Sequence, residues 1–354
     1  MDERAALVQL VRAYSPTGRE AAGVQVFGEI ARLLGYEFHI DPIGNGIATR
    51  GKKPPRLMFL GHIDTVEGTL PIRSTRQAAA GRGACDAKAA LIAALYSGAA
   101  ADLTAGLEIV AAVGEERDSR GAQYLLRGHR PRYLIVGEPT GWDGVTIAYK
   151  GELRLGATFE GARSHLSSPA PSTVDRALAW VGQVREICDT HHGASPFQSV
   201  TMKVVEIATH LRGDQEHVVV DLDLRLPLSI RATSIYREIA AASKPALRLS
   251  VTVQVDPVEV ERRNRVVQVL SAAIRNQGGK PTLYQKAGTS DLNTVLPAWQ
   301  CPAAVYGPGD SHLDHTDRER VELADLRRAI RVLETTWTRL GERASSHVPE
   351  VRPG

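Results

Sequence analysis

The chain of 354 residues has only three cysteines, Cys85, Cys188 and Cys301, set far apart. That scarcity argues against a disulfide framework as the source of stability. No run of apolar residues approaches the roughly 18 needed to cross a bilayer, so no membrane-spanning helix is expected. The first residues, MDERAALVQLVRAY, are charged and amphipathic and lack the uninterrupted apolar core of a secretory signal. An excess of one charge is missing too. Lys and Arg number 43 against 40 Asp and Glu, a net charge of +3 with a pI near 8.8. Such a balance is too mild to imply nucleic acid and still permits an acidic partner. No internal repeat is present. These absences predict a cytoplasmic protein with neither a nucleic-acid nor a membrane partner. At 43% hydrophobic and 23% charged residues the composition is that of a folded globular protein, long enough for two domains.

The first half alternates helical and strand patterns. Ala5–Tyr14 and Glu20–Leu34 space apolar residues three and four apart, whereas RLMFLG, LEIVAAVG and RYLIVG are compact apolar runs ending in glycine. This alternation predicts an α/β sheet with helices on its faces, whose active site lies beyond the carboxyl ends of the strands. After Lys150-Gly151 the order becomes strand Glu152–Gly161, helix Val174–Cys188, strands Ser199–Ile207 and His217–Leu226, helix Ile235–Ala242 and strand Leu247–Val255. That β-α-β-β-α-β succession predicts a ferredoxin-like α+β sandwich. From about Asn264 the first style returns. It ends in a long helix around Leu323–Leu340 and a tail, GERASSHVPEVRPG. The expectation is a discontinuous domain, residues 1–151 and 263–354, interrupted by an inserted domain over 152–262.

Metal-type side chains follow apolar stretches: His62 in FLGHIDTV, Asp86 in GRGACDAK, Glu116 in VGEERDS, Glu138 in LIVGEPT and His315 in GPGDSHLDHTD. Two imidazoles and three carboxylates, one of them shared, suit a pair of divalent ions holding a water, which predicts metal-assisted hydrolysis. Asp64 lies two residues past His62, on the same side of an extended chain, where it can hold the other ring nitrogen. Asp86 precedes a helix from Lys88 to Ala101 and reads as its N-cap, as a metal bridge, or as both. The adjacent Glu115 and Glu116 repel unless a cation or proton compensates. One can bind metal while the other removes a proton from water; the alternative is a solvated loop with Arg117 as counter-ion. His312 competes with His315 for the last ligand. His165 reads as an exposed histidine or as an oxyanion donor delivered by a lid. Arg225 either grips a substrate carboxylate bidentately or pairs with Asp221 or Asp223. Gly288-Thr289-Ser290 offers donors to the same carboxylate or is a plain turn before a helix.

In order and type, these motifs resemble the di-zinc aminoacylase/carboxypeptidase family of metallohydrolases over nearly the whole chain. The resemblance implies a mixed-sheet zinc-peptidase catalytic domain with an inserted lid and dimerisation domain. It implies two divalent ions per subunit, zinc foremost and cobalt as a substitute. His62 and Glu138 would hold one ion, Glu116 and His315 the other, with Asp86 bridging, Glu115 as general base and Asp64 as orienting acid. His315 is preferred to His312 because the family's last ligand precedes a Thr-x-x-Glu pattern, here Thr316 and Glu319. In the family a lid histidine like His165 reaches the partner subunit's site, which implies a homodimer. DAKAAL departs from the pattern, since relatives carry glycine where Ala89 stands; only local packing is affected. Within the family, GHIDTVEGTLPIR, VGEPTGWDGVTIAYKG and YGPGDSHLDHTD are similar to hydrolases that release lysine or ornithine from a small acidic amino-group carrier protein. The alternatives are a small-molecule N-acyl amino acid deacylase, a dipeptidase, and a non-catalytic binding relative, against which the Glu115-Glu116 pair argues.

Overall fold

Helices α1 (Glu3–Arg12) and α2 (Ala21–Leu33) open the computed structural model, which describes residues 1–163, 165, 167–244 and 247–345. The Asp2 carboxylate accepts the Ala5 N–H at 2.7 Å, so α1 starts two residues before the apolar pattern does. Strands β1 (Glu37–Ile40), β2 (Gly46–Arg50) and β3 (Leu57–His62) follow, then a short ladder of β4 (Arg73–Ser74) and β5 (Ala78–Ala80). Next come α3 (Lys88–Ala100), β6 (Leu107–Ala112), α4 (Arg120–Leu125), β7 (Tyr133–Gly137) and β8 (Gly144–Tyr149). A second stretch holds β9 (Gly151–Ala162), α5 (Thr173–Thr190), β10 (Thr201–Arg212), β11 (Gln215–Leu226), α6 (Ala232–Ala242), β12 (Arg248–Val255) and β13 (Val258–Glu259). The chain finishes with α7 (Arg265–Asn276), β14 (Thr282–Lys286), α8 (Asp291–Trp299), β15 (Ala303–Val305), β16 (Arg320–Glu322) and α9 (Leu323–Ser345). The expected tail starts at Gly341, but α9 continues through Ser345; the rest of that tail, from Ser346 onward, lies outside the described residues. Contacts divide the chain into two units, one of Met1–Ile147, Val260–Tyr284 and the stretch from Ser290, the other of Ala148–Glu259 with Gln285–Thr289.

In the first unit the sheet order is β1-β2-β6-β3-β7-β15-β8. The central strands β6, β3, β7 and β15 are parallel, while β1, β2 and β8 run against their neighbours, so the sheet is mixed. Every residue of β3, β6 and β7 is buried. Parallel strands covered on both faces need the continuous apolar runs that LMFLG, LEIVAA and YLIVG supply. Helix α3, apolar all round, is buried from Lys88 through Leu95 and packs on α9. Trp337 of α9 joins these layers: its ring lies edge-on to Phe59 at 6.4 Å and its indole N–H donates to Ser97 at 3.0 Å. Truncating a buried tryptophan of this kind costs about 3–5 kcal/mol. Register then sets the site. His62 pairs with Ala112 and Gly61 with Gly137, so β6, β3 and β7 end level with one another.

The second unit is a four-stranded antiparallel sheet in the order β10-β11-β9-β12, the ferredoxin-like arrangement of two βαβ halves. Leu153, Leu155, Leu222 and Leu224 meet Trp180, Ile235 and Ile239 of α5 and α6 in its core. Strand β10 runs to Arg212, five residues past Ile207, where apolar alternation ends. The turn at Gly213, with φ of +63°, keeps it paired with β11 through Arg212 and Gln215.

Candidate metal centre

Because β6, β3 and β7 end together, the residues that follow them meet in one place. His62 closes β3 and is 1% exposed. Its Nδ1 lies 2.9 Å from the Asp64 backbone carbonyl. A carbonyl only accepts, so Nδ1 carries the proton and Nε2 offers its lone pair. Nε2 points at Asp86 Oδ1 (3.1 Å), with Glu138 Oε2 at 4.0 Å. The other oxygen of Asp86 faces His315 Nε2 at 3.1 Å, and that nitrogen also lies 3.0 Å from Glu116 Oε1. Asp86 is thus shared between two clusters, His62–Asp86–Glu138 and Asp86–Glu116–His315, the atoms of each lying within 4.8 Å of one another. Glu115 joins His62 and Glu116 in a third grouping of the same kind.

The donor set fits divalent metal. Ligand atoms placed about 2.0–2.1 Å from a tetrahedral ion stand about 3.3 Å apart, and the imidazole–carboxylate spacings here are 3.0 and 3.1 Å. Electrostatics agree. Burial pushes the Glu115 carboxyl well up, helped by the charges of Glu138, Asp291 and Glu116 and opposed by His62. Hydrogen bonds to Asp86 and Glu116 push His315 up to about 10. Burial would raise Asp86, but His315 and His62 outweigh it and hold that carboxyl far below its usual range. So many carboxylates around two imidazoles call for a cation.

The contact expected of the Asp64 carboxylate belongs to its carbonyl instead: Oδ1 stands 3.7 Å from His62 Nδ1, beyond hydrogen-bond distance. The carboxylate does something else. It accepts the backbone N–H groups of Glu115 (3.1 Å) and Glu116 (3.2 Å) and the Thr17 hydroxyl (2.8 Å). Gly114, with φ of +78°, turns the chain so that both amides face Asp64. Asp86 does not cap α3; the cap position is Ala87 and no side chain bonds there. His312 stands apart, its Nδ1 on Asp310 at 2.8 Å.

The remaining expected residues stay outside these clusters. Arg225 is engaged by both Asp223 oxygens (2.8 and 2.9 Å) and by Glu152 (2.9 Å), the ion-pair alternative for this residue. Thr289 donates to Glu152 at 3.3 Å, and Gly288 borders open space. Ser290 caps α8 in a capping box with Asn293. His165 is exposed, and its Nδ1 accepts the Ser167 N–H at 3.2 Å. That leaves Nε2 as its N–H donor, the opposite tautomer to His62. Sequence reasoning passed over Asp291, which follows the Gly288–Ser290 turn. It is 1% exposed, and burial pushes its carboxyl up to about 6. Its signal was an acid in the first turn of a helix beside a candidate binding motif.

Residues 58–339 match the model for peptidase family M20/M25/M40, and the chain belongs to that family of hydrolases. Its members are metallopeptidases, so divalent metal at this centre is implied. Among curated relatives, the [LysW]-lysine hydrolase of Deinococcus radiodurans is 33% identical over 94% of this chain and 95% of its own length. The [LysW]-lysine/[LysW]-ornithine hydrolase of Saccharolobus solfataricus is 26% identical over 94% and 96%. An M20 family metallo-carboxypeptidase from Sulfolobus solfataricus shares the fold, with a TM-score of 0.75 at 15% identity over 96% of this chain and 99% of that one. No helix among the described residues is long and apolar enough to cross a membrane.

Proposed function

We propose that this protein hydrolyses the amide joining lysine or ornithine to the side-chain carboxyl of the terminal glutamate on an acidic amino-group carrier protein, LysW. The sharing of Asp86 between two ligand clusters, with Glu115 alongside, carries the hydrolytic part of this reading. The [LysW] hydrolases that align end to end with the chain support the substrate. A mildly basic enzyme, net charge +3, also suits an acidic carrier.

His62, Glu138 and Asp86 would hold one ion, and Asp86, Glu116 and His315 a second. Imidazole and carboxylate donors suit zinc, with cobalt as a substitute. When bound, such ions polarise the amide carbonyl and acidify water. Glu115, whose proton affinity is raised by burial and neighbouring carboxylates, takes the proton from water as its carboxylate and passes it to the departing amine. Asp64 holds the Glu115 and Glu116 backbone in place. His165, with Nε2–H free to donate, stabilises the oxyanion from the inserted lid domain of a homodimer. In favour of the dimer, β10 is an edge strand that exposes Val204, Val205, Ile207 and Leu211. Arg225, Gly288, Thr289 and Ser290 remain candidates for the substrate carboxylate only if Arg225 exchanges its partners on binding. A cytoplasmic setting suits three free cysteines.

The test is mass spectrometry of carrier conjugated to lysine or ornithine, before and after incubation with metal-loaded enzyme. Loss of the amino acid from the carrier is expected, with little action on acetylornithine or succinyl-diaminopimelate. The reverse preference would make the protein a small-molecule deacylase. Glu115→Gln should lower turnover by roughly 10²–10⁴-fold with metal content unchanged. Loss of metal in that variant would exchange the roles of Glu115 and Glu116.

A further inference from the structure

Glu319 closes the Thr-x-x-Glu pattern, and nothing in the reaction above assigns it a task. It is 2% exposed, and its carboxylate is spent on one loop. Oε1 accepts the backbone N–H groups of Cys85 (3.1 Å) and Asp86 (3.2 Å), and Oε2 accepts Arg82 Nη1 at 2.8 Å. The same guanidinium nitrogen reaches the Thr316 carbonyl at 3.3 Å, and the Glu319 carbonyl accepts the Gly81 N–H at 3.2 Å. The loop from Gly81 to Asp86 is therefore fastened at both ends to the segment that follows His315. Burying a carboxylate is costly, and the ladder of β16 on β5 already joins these two segments. What the carboxylate adds is a grip on the main chain of Asp86, whose two oxygens face His62 and His315.

We propose that Glu319 is a positioning residue for the metal centre. By holding the Asp86 backbone from the His315 segment, it sets the spacing between the shared carboxylate and His315. That spacing governs how tightly Asp86, Glu116 and His315 take an ion. The inference rests on the metal-centre reading above and adds to it a residue that touches no metal. Loss of such an outer partner typically weakens metal affinity 10–100-fold.

The test titrates metal-free protein with zinc, counting bound zinc by inductively coupled plasma mass spectrometry at buffered free zinc and following melting temperature with and without metal. Wild type is expected to take two ions per chain. Glu319→Gln keeps an oxygen for the two backbone N–H groups but turns an amide donor toward Arg82. It should bind the ion of the Asp86–Glu116–His315 cluster 10–100-fold more weakly, with a smaller loss at the other ion, which shares Asp86. Adding Arg82→Met removes the facing donors and should recover part of the lost affinity. A Glu319→Gln protein that melts lower without metal yet binds both ions as wild type does would overturn the inference and leave Glu319 a purely structural residue. Wild-type protein that takes up no zinc would instead overturn the metal-centre reading, and this inference with it.

Discussion

At the amino end of the parallel strands His129 Nδ1 lies 2.8 Å from Glu108 Oε1; at the carboxyl end His62 Nε2 lies 3.1 Å from Asp86 and His315 Nε2 3.0 Å from Glu116. Pair by pair the geometry is alike. The surroundings differ. At the amino end the His129–Glu108 pair, with the Asp41 charge also acting on the imidazole, stands beside a cavity of about 610 Å³ bordered by Arg56, Arg130 and Arg132. At the carboxyl end two imidazoles face Asp86, Glu115, Glu116 and Glu138, and a single aspartate divides its oxygens between them. A histidine–carboxylate contact therefore says little by itself. Convergence of more negative charge than the imidazoles can neutralise is what marks a metal centre, and the amino-end cavity lies away from it.

Metal removal should separate the two ends most sharply. An ion held at 100 times its dissociation constant stabilises the folded state by about 2.7 kcal/mol, so chelation should lower the melting temperature by several degrees. His129→Gln should respond to chelator as wild type does, whereas His62→Ala should lose most of the response. An unchanged melting curve after complete chelation would erase the distinction between the ends.

The next effect has the opposite sign. In metal-free protein the Glu115 charge is a liability, disfavoured by burial and by Glu138. Glu115→Gln should therefore raise the melting temperature of metal-free protein, on the order of 2–4 °C for each kcal/mol gained. Glu108→Gln should lower it slightly, since that carboxylate has an imidazole of its own. A destabilised Glu115→Gln would mean that the carboxyl end is already charge-balanced without metal.

The central strands and the ligand types were legible because LMFLG, LEIVAA and YLIVG each stop at a residue whose chemistry changes abruptly. Parallel pairing then levels those stops, so reading strand ends was equivalent to reading the site. The family resemblance supplied the choice of His315 over His312, which spacing alone left open. Other features depend on contacts between distant segments. Which Asp64 oxygen meets His62 turns on a local backbone angle, so its carboxylate could not be foreseen to hold the Glu115 and Glu116 amides. The grip of Glu319 on Asp86 spans 233 positions. For Arg225 the sequence offered Asp223 as a partner two residues away, yet Glu152 comes from the neighbouring strand β9.

The smallest expected effect tests whether the amino-end pair is self-sufficient. The Glu108 hydrogen bond raises the pKa of His129, against the lowering effect of burial. The charged imidazole is thus favoured in the folded state. Its stabilisation is fully present below the ordinary value of 6.5 and fades as pH rises through the elevated folded value. The His129 side chain is 28% exposed and Glu108 7%, so solvent screening limits the contribution to about 0.5–1 kcal/mol. Melts of metal-free wild type and His129→Gln should differ at about pH 6 and converge by about pH 9. The carboxyl end titrates alike in both proteins, so it cancels from the difference and leaves the amino-end pair isolated. A gap of equal size at both pH values would assign the role of His129 to packing, and the resemblance between the two ends would then be one of geometry alone.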